Sequence, residues 1–135
     1  MLLSPTALVR LRTVAMGLAG LVALGYALSV LLTGRLDLVS PWLPVAAGLG
    51  AAVLVAAAAF ATAEGGVAQA MDELYRAENG RALAIGYWSA IVIYLVFGGL
   101  VAAGTLAAGL ALPAMATLTG AAYLIPYAWL TGRHW

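Results

Sequence analysis

Apolar residues in this chain neither alternate nor repeat in heptads; they arrive in four long uncharged blocks, at about 13–32, 42–63, 82–103 and 113–131. Each block is close to the roughly 20 residues a helix needs to cross a bilayer core of about 30 Å. Hydrocarbon offers no hydrogen bonds, so a spanning segment must pair its own backbone groups and become a helix. The pattern predicts an all-α fold, a polytopic transmembrane four-helix bundle in one domain over residues 1–135.

The punctuation between blocks sharpens the boundaries. Ser4-Pro5 reads as an N-cap followed by a first helical proline, which starts the first helix early. Arg10 and Arg12 then fall on its first turns, where long side chains snorkel to headgroups. The rival reading, a cleaved signal peptide, is disfavoured because the uncharged run from Thr13 to Leu32 exceeds the usual h-region.

Ser40-Pro41 and Pro44 mark the entry to the second block. Ten of the eighteen residues from Ala46 to Ala63 are alanine. Membrane helices associate through such small residues, because backbones can approach closely, so this helix is expected to contact the rest of the protein most. Pro113 suits the first turn of the fourth helix, whereas Pro126 lies inside it and denies the Ala122 carbonyl its N–H partner. The apolar link from Gly104 to Leu112 should form a tight hairpin.

The one sizeable polar segment, 64–81, is expected to form a helical loop. Val67, Met71, Leu74 and Tyr75 make an apolar stripe at helical spacing, with Glu78 in the same phase. Asn79-Gly80 is a helix-stop signal, yet a glycine inside a helix costs only about 1 kcal/mol. A nearly continuous helix into the third span is therefore favoured.

Composition agrees with immersion in lipid: 65% of the 135 residues are hydrophobic and 8% charged, with a mean hydropathy of +1.06. A formal charge of +1 without a basic stripe argues against nucleic acid as a partner. The chain has no cysteine, which removes disulfides and thiolate metal sites. With four spans, Arg10, Arg12, Arg76, Arg81 and Arg133 share one side and Arg35 stands alone on the other. The positive-inside rule then places both termini in the cytoplasm, and the chain as a multi-pass protein of a cell inner (cytoplasmic) membrane. Trp42, Tyr87, Trp88, Tyr127, Trp129 and Trp135 fall where interfacial aromatics belong. With Arg10 and Arg12 they are the expected membrane-interface anchors.

Candidate chemistry is sparse. No ionisable residue interrupts the four blocks, and such residues ordinarily mark intramembrane relays and ion paths. No metal site and no cofactor is expected, since no cysteine and no second histidine joins the acids. Asp72, Glu73, Arg76 and Glu78 are candidates for docking a partner, although a solvated helical face explains them as readily. Tyr94 and Tyr123, near mid-span, need partners for their hydroxyls. They could bridge the third and fourth helices or line a cleft beside Pro126. His134 reads as a solvated tail residue.

The residues Asp72-Glu73-Leu74-Tyr75-Arg76, followed by Ala82-Leu83-Ala84-Ile85-Gly86, carry one family resemblance. This D-E-x-x-R segment before an Ala-x-Ala-x-Gly helix start resembles small bacterial four-span inner-membrane proteins of no assigned activity. The intramembrane acid of small multidrug transporters is missing from the first helix. So are the Gly/Asn/Thr/Phe signatures of fluoride channels from the spans.

The expected role is thus a non-catalytic accessory, assembly or structural subunit that associates with itself or with a larger membrane complex, with the lipid bilayer as its constant partner. The alternatives are a small oligomeric transporter or channel for an apolar or weakly polar solute, and a lipid- or pigment-binding module.

Overall fold

The computed structural model describes residues 4–62, 66–70 and 73–133, with Gln69 and Ala70 by backbone alone. The fold is all-helical, and four of its helices are long and apolar enough to cross a membrane. The elements are α1 (Pro5–Thr33), α2 (Trp42–Phe60), the short α3 (Gly66–Ala70), α4 (Glu73–Ala102) and α5 (Ala108–Gly132).

α1 begins where Ser4 and Pro5 indicated, with the Ser4 hydroxyl accepting a 3.2 Å hydrogen bond from the Ala7 N–H. It ends at Gly34, whose φ of 64° is a left-handed conformation open to glycine at little cost. The Gly34 N–H closes the last turn on the Val30 carbonyl at 2.9 Å.

Three boundaries differ from the sequence pattern. α2 stops at Phe60 instead of reaching residue 63. α4 starts at Glu73 and passes unbroken through Asn79-Gly80, as the favoured nearly continuous helix requires, so residues 73–81 extend the third span beyond its uncharged block. A tertiary contact outweighs the stop signal there, because the Asn79 side chain accepts a 2.8 Å hydrogen bond from the Tyr123 hydroxyl. α5 starts at Ala108, which puts Pro113 beyond the first turn. The expected hairpin shrinks to residues 103–107, turning at Gly104 with φ 71°. The Thr105 and Leu106 N–H groups both bond the Leu100 carbonyl there, at 3.0 and 3.3 Å.

α1 packs along both α5 and α2, and α4 packs along α5. The helices therefore stand in the spatial order α2–α1–α5–α4. This corrects the expectation for the second helix: α1, not α2, is the most embedded. Only Ala51 and Ala58 of α2 are buried, because an edge helix has one neighbour and uses one line of its surface.

The α1 face that is buried runs through Leu8, Arg12, Ala15, Ala19, Ala23, Tyr26, Ala27 and Val30, at helical spacing. Its alanines admit α5 closely. A Cβ added to Gly20 would lie 2.9 Å from the Leu124 Cβ, so the α1–α5 crossing requires glycine. Gly86 does the same for α4, where an added Cβ would meet the Tyr123 Cβ at 3.0 Å.

Candidate functional site

Polar side chains gather where α1 begins, α4 begins and α5 ends. The Thr13 and Thr131 hydroxyls lie 3.0 Å apart and join α1 to α5. The Arg12 guanidinium sits 3.9 Å above the centre of the Tyr75 ring, a cation–π arrangement. Tyr75 meets Tyr127 edge-on at 6.3 Å between centroids, and Tyr127 lies 5.9 Å from Tyr123. Tyr123 then reaches Asn79, as described above. A chain of rings and hydroxyls thus ties the start of α4 to the other two helices.

Several expected sites change meaning here. Arg12 is 5% exposed and Glu78 3%. Arg12 does not snorkel outward, because its phase on α1 matches the inward-facing alanine row. Glu78 offers no docking surface, because it shares the buried α4 stripe with Ala82 and Gly86. Tyr127 is buried as well, packed between helices where an anchor exposed at the interface was expected. Glu73, Arg76 and Arg10 are exposed. Asp72 and Trp135 lie outside the described residues.

The remaining aromatics behave as outward-facing groups. Trp42, Tyr87, Trp88 and Trp129 are all exposed, and Tyr87 and Trp88 pair edge-on at 5.4 Å. Tyr94 is also exposed. It does not bridge to α5, and Tyr94, Tyr123 and Pro126 do not come together. Tyr123 turns to Asn79, while Pro126 opens on a groove between α4 and α5.

That groove encloses about 630 Å³ and is walled by Trp88, Ser89 and Val92 of α4, and by Leu118, Ala122 and Pro126 of α5. The helices close on each other beyond both of its ends: at Gly86 against Tyr123, and in the cluster of Phe97, Ala111, Ala114 and Met115. A second cavity of about 430 Å³ lies among α1, α2 and α5, lined by Tyr26, Pro44, Gly48, Pro113 and Thr117 among others. The Tyr26 hydroxyl is buried without a hydrogen-bond partner among the described residues.

The described residues contain no group of three or more His, Cys, Asp or Glu side chains that could hold a metal ion. Tyr75, Asn79 and Thr131 were not singled out from the sequence as a site. The available signal was phase: Tyr75, Asn79, Ala82 and Gly86 follow one another at three or four residues on one face of α4.

The chain matches no protein-family model, and neither a curated protein nor a solved structure is similar to it.

Proposed function

We propose that this chain is a non-catalytic integral membrane protein of the bacterial inner membrane, with both termini cytoplasmic, acting as an accessory or assembly subunit. It works by packing its helices against further copies or a larger membrane complex.

The observation that carries this reading is the state of α2. Ten of the nineteen residues of this helix are alanine or glycine, yet it stands at the edge of the row with only two residues buried. Gly50, Ala52 and Ala56 face outward among the exposed Leu49, Val53 and Phe60, and nothing lies within 4 Å of a Cβ added at Gly50. Lipid chains solvate bulky side chains as well as small ones, so lipid exposure does not call for the small residues that lie between the bulky ones. A neighbouring helix does, because small residues let two backbones come close enough for dispersion and Cα–H contacts. The five-to-one arginine bias supports the orientation.

Native mass spectrometry from mild detergent tests the reading, beside an Ala52→Leu/Ala56→Leu variant. A defined oligomer or complex that the double variant loses, with helicity intact, supports it. A strict monomer that carries no partner defeats it.

A further inference from the structure

We infer that the groove between α4 and α5 binds an uncharged, bilayer-dissolved molecule bearing a carbonyl or hydroxyl group, of the prenyl-quinone kind. This rests on the membrane-spanning reading, but not on the assembly role.

The groove is apolar with a small polar spot. Ser89 is half-buried on the α4 wall, and its hydroxyl bonds to no other described residue. Ala122 lines the α5 wall, and its carbonyl receives no N–H from Pro126, since proline has none. Trp88 stands on the rim, 65% exposed, with an indole N–H that bonds to no other described residue. Trp88, Ser89 and Ala122 thus line one slot of about 630 Å³, a volume in the range of small-molecule pockets.

Depth selects the ligand. At a rise of about 1.5 Å per residue, Ser89 lies about 12 Å along α4 from Arg81, and Ala122 about 16 Å along α5 from Arg133. Half of a bilayer core is about 15 Å. Counted from these arginines, the polar spot sits near the midplane, too deep for the headgroup or ester of a phospholipid, and Trp88 beside it lies deeper than the headgroup level expected of an anchor. No charged side chain lines the groove, so an ionised ligand would be desolvated without compensation. What remains is a neutral molecule that lives in the hydrocarbon and carries hydrogen-bonding oxygen. Its carbonyl accepts from Ser89, and a hydroxyl, where present, donates to the Ala122 carbonyl.

The full chain, reconstituted in lipid nanodiscs, is titrated with decylbenzoquinone and read by tryptophan quenching and by retained quinone, against empty discs. Saturable binding of one quinone per chain is expected. Ser89→Ala should weaken it by about 2- to 10-fold, the worth of one hydrogen bond. Ala122→Leu should remove the saturable component by filling the slot. Tyr94→Phe, outside the groove, should bind like the parent. Circular dichroism confirms that each variant keeps its helices.

Non-saturable uptake equal to empty discs overturns the inference. So does Ala122→Leu binding like the parent, or displacement of the quinone by decane at equal concentration. Failure of the protein to enter nanodiscs would instead count against the membrane-spanning reading itself.

Discussion

Arg12 and Tyr75 are sixty-three residues apart in sequence, and the guanidinium of one lies 3.9 Å over the ring of the other. The contact fastens the first turn of α4 to the second turn of α1. It is one of the contacts that compensate a charged side chain only 5% exposed, since the ring face offers negative potential.

Tyr75→Phe keeps that ring and should leave stability within about 0.5 kcal/mol of the parent, whereas Tyr75→Leu should cost about 1–2 kcal/mol, the scale of a desolvated cation–π contact. Unfolding followed by helicity in mixed micelles measures both. Equal behaviour of Phe and Leu at this position would reduce the contact to simple packing.

The Tyr123–Asn79 hydrogen bond of 2.8 Å ties α5 to α4 at the residue before Gly80. A cycle of Tyr123→Phe and Asn79→Ala should show a coupling of about 0.5–1.5 kcal/mol, as for interhelical bonds in membrane proteins. Additive effects would place the bond outside the energetics of this end of the molecule.

Gly86 and Gly98 lie on the same helix in opposite circumstances. A Cβ at Gly86 meets the Tyr123 Cβ at 3.0 Å and its Cα at 3.3 Å, whereas nothing lies within 4 Å at Gly98. Gly86→Ala should cost about 1–3 kcal/mol through overpacking. Gly98→Ala should be neutral or stabilising by up to about 1 kcal/mol through helix propensity. Thermal unfolding of the two variants side by side decides it, and the reverse order would refute the α4–α5 crossing.

The buried Tyr26 hydroxyl has no partner among the described residues, a state that costs about 1–3 kcal/mol. Tyr26→Phe should therefore raise the unfolding midpoint or leave it unchanged. A clear loss of stability would mean that the hydroxyl is hydrogen-bonded in the membrane.

The Arg35 guanidinium forks onto Asp37 through two hydrogen bonds of 3.0 and 2.7 Å, and this bond holds the Asp37 carboxyl below its ordinary range. A carboxylate with a depressed folded pKa contributes stability above its unfolded pKa and loses it as pH falls through the folded value. The pair is fully exposed, so the effect at neutral pH is small. An NMR titration should place the Asp37 midpoint below the ordinary aspartate value, and Arg35→Gln should return it there.

Much of the architecture was legible along the chain. The four blocks, the Ser4-Pro5 start and the hairpin at Gly104 follow from local rules: hydropathy, capping and the freedom of glycine at positive φ. Those rules act within a few residues and need no knowledge of neighbours.

Phase and neighbours decided the rest. Arg12, Glu78 and Tyr127 read as boundary residues because they flank or end uncharged blocks, yet all three turn inward. Burial of a helix residue depends on which side of the helix faces a partner, and in lipid hydropathy does not distinguish a packed face from a solvated one. The order α2–α1–α5–α4, the edge position of α2 and the slot between Ser89 and Ala122 arise from backbone approach at Gly20 and Gly86. Such contacts join residues about a hundred and about forty positions apart, and no local pattern in the chain specifies them.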